Sequence, residues 1–210
     1  MAYGGIVPRF NSARLAKEFE RLSSGPKLAS IVATRSTPYQ VHFKQSAYNW
    51  LVYCFEQPPS FDTLGKQSPQ SQFADVSAIS PAYRDLLMVV MNTRLAFVHW
   101  GIIGDDFHVT KHTAESFPFN VKALSSDARS RLIALAPLLQ LEMEKNVQFK
   151  LNAGKQVGTY NLRRCRNVTD IADDILAREL GLLDVWDDIE LLYAQVVRTA
   201  EDEANDEPAA

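Results

Sequence analysis

The run Leu86-Leu87-Met88-Val89-Val90-Met91 constrains this chain more than any other segment. It follows Ser80-Pro81, a helix start with serine as N-cap and proline at the first helical position. The pattern predicts one helix from there to about Trp100, apolar on every side through its middle. Such a helix cannot lie on a surface. The rest of the chain must supply enough apolar surface to enclose it, and 210 residues at 46% apolar content suffice for one globular domain or two small ones.

The enclosing elements read as mixed. Ser12 caps a short helix through Leu22, with Leu15, Phe19 and Leu22 on one face, and Gly25-Pro26 stops it. From Pro38 to Phe55 the chain turns aromatic. Tyr39, Val41 and Phe43 alternate with Gln40, His42 and Lys44, the period of a half-buried strand, and Gln45-Ser46-Ala47 is the expected turn of a hairpin. Residues 60–80 read as a long polar loop. A second long helix is expected from about Asp127 to Phe149, kinked or split at Pro137, followed by a loop or short strands. Thr169 is the expected cap of a third helix closed by Gly181, and a last helix starts near Asp184. The expected fold is α+β: a small antiparallel sheet or hairpins packed on several helices. Residues 1–9 read as a lead-in and 10–199 as the domain, with possible sub-parts 10–120 and 121–199. Residues 200–210 read as a disordered acidic tail.

The net charge of −3 conceals an asymmetry. Residues 1–160 hold 17 Lys/Arg against 12 Asp/Glu, and residues 161–210 hold 5 against 13. A polyanion would favour the first part together with the basic run Arg163, Arg164, Arg166. No apolar stretch approaches the ~18 residues of a membrane span, and no basic-plus-apolar leader precedes a cleavage site, so a soluble cytoplasmic protein without membrane partners is expected. Cys54 and Cys165 fit reduced thiols.

Two islands carry most of the chemistry. The first is Gly104-Asp105-Asp106-Phe107-His108-Val109-Thr110-Lys111, with Ser116-Phe117-Pro118-Phe119 after it. The second is Val157-Gly158-Thr159-Tyr160-Asn161-Leu162-Arg163-Arg164-Cys165. Asp105, Asp106 and His108 are more simply turn formers than a metal or general-base site, and His108 with His112 lacks a third zinc ligand. No catalytic or metal residue is assigned. A methyltransferase acting on adenine needs an Asn/Asp-Pro-Pro-Tyr/Phe loop to bond the amino group and stack on the flipped base. Gln57-Pro58-Pro59-Ser60 has the wrong first and last residues. Nuclease and phosphate-loop patterns are also missing from the sequence. As DNA contacts, Lys44, His108, Lys111, Lys155, Arg163 and Arg164 offer donors for phosphate or guanine, Tyr160 a stacking ring and Asn161 an amide suited to adenine.

The islands, with the elements around them, resemble the C-terminal target-recognition (specificity) region of type IIG restriction–modification and adenine-specific DNA methyltransferases. The resemblance lies in order: the aromatic hairpin (Tyr39 to Phe55), a Pro-Pro, a Leu-rich helix ending in Asn-x-x-Leu (Asn92 to Leu95), Gly-Asp-x-Phe-His-Val-Thr-Lys, Phe-Pro, Gly-x-Tyr-Asn-Leu…Cys-Arg, and an Asp-x-x-x-x-Leu-Gly helix (Asp174 to Gly181). It covers roughly residues 8–198 and departs at Thr159, where the family's usual residue is asparagine. It implies a target-recognition-like fold and a sequence-specific reader of double-stranded DNA in a restriction–modification, phage-defence setting. No cofactor is expected on this chain, since S-adenosylmethionine and methyl transfer would belong to a separate catalytic domain or subunit. His108, Tyr160 and Asn161 have a second possible role as loop-locking hydrogen bonders, leaving base contacts to the aromatic hairpin or the 60–80 loop. Two rivals remain. One is an interaction protein that binds a methyltransferase partner through its acidic last fifty residues without reading DNA. The other is a nuclease served by Asp105, Asp106 and Glu115.

Overall fold

In the computed structural model, the residues described are 10–47, 49–105 and 107–196. The expected lead-in and acidic tail, and Asp106, lie outside them. The apolar run forms α2 (Pro81–Met91), capped by the Ser80 side chain, with Leu86 through Met91 all buried. It does not continue to Trp100. The chain breaks at Asn92-Thr93 and bends by 71° into α3 (Arg94–Ile103). The cause is tertiary. Asn92 Nδ2 donates to the carbonyls of Met88 and Tyr53, Asn92 Oδ1 accepts from the Tyr53 amide, and Thr93 then caps α3.

Around α2 lie α1 (Ala13–Ser23), capped by Ser12 as expected, the short α4 (Lys111–Ser116), α5 (Ser126–Lys145), α6 (Arg166–Glu179) and α7 (Trp186–Val196). α5 runs unbroken through Pro137 and stops at Lys145, short of Phe149. α6 starts at Arg166, so Thr169 lies buried inside it rather than capping it. Gly181, at φ +66°, closes the turn that follows.

Two three-stranded antiparallel sheets complete the α+β fold. The first has order β2-β1-β4, from β1 (Gln40–Lys44), β2 (Tyr53–Cys54) and β4 (Phe73–Ser77). The hairpin expected from the aromatic segment is present, with His42 opposite Cys54. Its turn is not Gln45-Ser46-Ala47, because Ser46 forms a β-bridge with His108. The second sheet has order β3-β6-β5, from β3 (Ser60–Phe61), β5 (Val147–Asn152) and β6 (Lys155–Tyr160). The segment read as a 60–80 loop thus supplies one strand to each sheet. One continuous core runs from Leu15 to Ile189, with no division near residue 120. Among the described residues, no single helix is long and apolar enough to cross a membrane.

Candidate nucleic-acid interface

β5 and β6 form an arm. Ala153 (φ 48°) and Gly154 (φ 79°) make the two-residue turn, the left-handed pair that a type I′ hairpin requires. Six-residue strands give the arm a length of roughly 20 Å. At its base, Gly158 donates its amide to the Pro59 carbonyl at 2.9 Å, and a Cβ there would lie 2.3 Å from that oxygen. The glycine of the second island is therefore needed for β3 to approach. Phe61 and Phe149, with ring centroids 6.1 Å apart, pack across the same base. Beyond it, every residue from Phe149 to Gln156 is exposed.

The electrostatics of this region are one-sided. Residues 145–169 contain Lys145, Lys150, Lys155, Arg163, Arg164 and Arg166, and no Asp or Glu. Lys145 is answered by Glu142 and Arg166 by Asp170. Among the described residues, no carboxylate pairs with Lys150, Lys155 or Arg164. Lys44, at the end of β1, is half-buried beside this surface. Burial, and secondarily the positive charge of Lys150, hold its ammonium below its ordinary value. Among the described residues, no ion pair offsets either lysine, and an anionic ligand would relieve the repulsion between them.

The expected contact residues divide. Lys155 stands exposed at the arm tip, Arg164 is exposed on the 3₁₀ turn after β6, and Arg163 beside it is half-buried. Tyr160 and Asn161 turn inward, which corrects their reading as DNA contacts. Tyr160 pairs with Val147 on the inner face, donates its hydroxyl to the Glu56 carbonyl and receives Trp50 Nε1 on its own carbonyl. Burial raises its phenol far above the ordinary value. Asn161, 5% exposed, donates to Gln148 Oε1 and accepts from the Arg163 amide, setting the turn from which Arg163 and Arg164 emerge. Both serve the loop-locking role.

His108 is exposed, but its Nδ1 and backbone amide both bond Asp105, whose carboxyl these bonds hold down at about 2. The first island is tied to the end of β1. Val109 donates to Gln45, Ala47 donates to Phe107, and Trp100 Nε1 donates to the His108 carbonyl. His108 therefore sits across a β-bridge from Ser46, two residues past Lys44. Lys111 lies apart from the arm. Its ammonium pairs with Glu115 at 3.2 Å and reaches the Ala33 carbonyl, so it is occupied within the fold.

Sequence reasoning missed Lys150, Asn152 and Gln156 on the arm. The acid-free stretch around Asn152-Ala153-Gly154-Lys155 was the available signal. It also missed a cross-strand row, Cys54–His42–Asp75, on directly opposed positions of β2, β1 and β4, with His42 Nδ1 2.6 Å from Asp75 Oδ1. The row has the residue types of a nucleophile, a base and its orienting acid. The Cys54 thiol, however, is fully buried and burial pushes its pKa far up, so it supplies no thiolate.

The Gln57–Ser60 segment does not fit a methyl-transfer loop. The Pro58 carbonyl accepts from Gln70 and the Pro59 carbonyl from Gly158, so neither is available to an adenine amino group. Asp105 is committed to His108, and Glu115 to Lys111. Among the described residues, no group of three or more His, Cys, Asp or Glu side chains is placed to hold a metal. Comparison with protein-family models, with curated proteins and with solved structures returns no match.

Proposed function

We propose that this chain is a sequence-specific reader of double-stranded DNA, the recognition module of an adenine-specific DNA methyltransferase or restriction–modification system. Methyl transfer, with its S-adenosylmethionine, is assigned to a separate catalytic domain or subunit. One observation carries the DNA-binding half of this reading. Among the described residues, Lys150 and Lys155 on the arm, Arg164 on the turn after it and Lys44 at the end of β1 pair with no carboxylate. The methyltransferase half rests on the order of the sequence motifs. The rival that places the active surface in the acidic last fifty residues gains less support from α6 and α7, where Asp170, Asp174 and Asp188 are already engaged by arginines.

Binding to a pool of random duplex DNA, followed across a salt titration with the retained fraction sequenced, tests the proposal. The expected result is an enriched short motif and an affinity that falls steeply with salt. Replacing Lys44, Lys150 and Lys155 together by alanine should lower the slope of log K against log salt by about 2 to 3, at ~0.9 per lost phosphate contact. Absence of binding at low salt would reject the reading. Co-purification of a methyltransferase subunit without DNA would establish the interaction protein in its place.

A further inference from the structure

The exposed end of the arm carries more than charge. Asn152 pairs with Lys155 on one face of the hairpin, and Leu151 pairs with Gln156 on the other. Leu151 is 77% exposed, an apolar side chain at the edge of a shallow groove between the tip and the 61–65 turn. Among the described residues, no hydrogen bond or ion pair holds the side chains of Lys150, Asn152, Lys155 or Gln156. Gln148, nearer the base, is by contrast bonded to Asn161. Asp62, an acid beside the tip, spends Oδ1 on the amides of Leu64 and Lys66 in its own turn, and Lys66 is exposed next to it. The tip is therefore a positively charged ribbon that offers two unspent amides and a bare leucine.

Dimensions select where such a ribbon fits on a duplex. β3 flanks β6 as far as Gln156, so the sheet is three strands, about 10 Å, wide there, and only the end from Asn152 to Lys155 stands as two strands roughly 4.8 Å apart. The major groove, about 12 Å wide and 8.5 Å deep, admits a two-stranded β-ribbon as it stands, whereas strands that enter the minor groove, about 6 Å wide, deform the duplex to do so. The chemistry agrees. Asn and Gln side chains match adenine N6 and N7, an apolar side chain matches the thymine methyl, and lysines at the flanks match the phosphates that line the groove. The type I′ turn and the Phe61–Phe149 contact keep the ribbon in one shape before binding.

Resting on the DNA-reading function above, we infer that the β5–β6 tip enters the major groove, with Asn152 and Gln156 reading base edges, Leu151 against a thymine methyl, and Lys150 and Lys155 on flanking phosphates. The duplex enriched from the random pool is resynthesised with 7-deazaadenine for adenine, or uracil for thymine, one position at a time. Both changes alter only the major-groove edge. The wild-type chain should lose about tenfold in affinity at one or more positions. Asn152→Ala or Gln156→Ala should abolish that sensitivity and enrich a degenerate motif, and Leu151→Ala should abolish the sensitivity to uracil. Wild-type binding that ignores every major-groove change, or tip variants that enrich the same motif with the same sensitivities, would overturn this assignment and leave DNA reading in place. Failure of the wild-type chain to bind any duplex would overturn both. Circular dichroism on each variant separates loss of fold from loss of reading.

Discussion

The β5–β6 arm and the helices that follow it differ in how they treat charge. In α6, α7 and their neighbours, arginines are answered. Arg94 is held by Asp170, Asp173 and Glu190, Arg166 by Asp170, Arg178 by Asp174, and Arg14 by Asp188. On the arm, Lys150 and Lys155 pair with no carboxylate among the described residues, and the charge of Lys150 acts against that of Lys44. Charges of the first kind are used within the fold, and their removal should be felt as stability. Charges of the second kind do nothing for the fold and are available to a ligand.

The largest expected effect tests the answered side. Asp173 is 1% exposed, accepts the Arg94 amide at the first turn of α3 and lies 3.4 Å from the Arg94 guanidinium. Asp173→Ala strands a half-buried helix-terminal amide and removes one of the three carboxylates around the Arg94 guanidinium, at a cost of about 2 kcal/mol. Asp173→Asn, which can still accept from the amide, should cost roughly half that. Guanidinium denaturation measures both. A loss below about 0.5 kcal/mol for Asp173→Ala would mean that the clamp does not hold α3, and the contrast between the two regions would fail.

The next effect uses pH. Burial pushes the Asp173 carboxyl up to about 7, against the pull of Arg94 and Arg166, from an ordinary value of 3.8. The folded chain therefore keeps a proton that the unfolded chain has lost, and stability from this group falls as pH rises from about 4 to 7. His99 works in the opposite direction. Its ring lies buried between Phe19 and Phe117 with neither nitrogen bonded, and burial, aided by Lys27 and His112, lowers it from 6.5 to about 3. Here the unfolded chain takes up a proton that the folded chain refuses, so stability falls as pH drops below 6.5. Each slope reaches at most about 1.4 kcal/mol per pH unit, and between pH 4 and 6.5 the two oppose each other. His99→Leu should remove one and make the protein relatively more stable at the acid end of that window. If the variant and its parent show parallel profiles, His99 is not held neutral by the fold.

Parts of this arrangement were legible in the sequence and parts were not, for physical reasons. Ser12 and Ser80 cap the helices expected of them because capping is local. The break at Asn92 was not legible, since the groups that end α2 belong to Tyr53, 39 residues earlier. Helical periodicity carried the second long helix through to Phe149, yet β5 begins at Val147 because Lys155–Tyr160 supplies a partner strand. Among the expected contact residues, Lys155 and Arg164 are exposed and Lys44 half-buried, because charge usually stays at the surface. Tyr160 and Asn161 were misplaced because a side chain's type does not say which face of a strand it takes. Pairing with Val147 sends Tyr160 inward, and Gln148 then captures Asn161. Lys150, one residue past the segment read as helix, was overlooked with the strand that carries it.

The smallest expected effect is the one on the unanswered side. Lys150→Ala and Lys155→Ala remove exposed side chains that bond nothing in the described structure, so each should change stability by no more than about 0.5 kcal/mol. For Lys150→Ala the expected sign is stabilising. Lys44 then loses a repelling neighbour, and its ammonium, depressed first by burial and then by Lys150, should move back toward its ordinary value. An NMR titration of the Lys44 side chain, in the wild type and in Lys150→Ala, reads that shift directly. An upward movement shows that the two charges repel each other in the folded chain, so that one bound anion would favour both. An unmoved Lys44 leaves burial as the whole cause of its depression, and the arm would then meet its ligand with separate point charges.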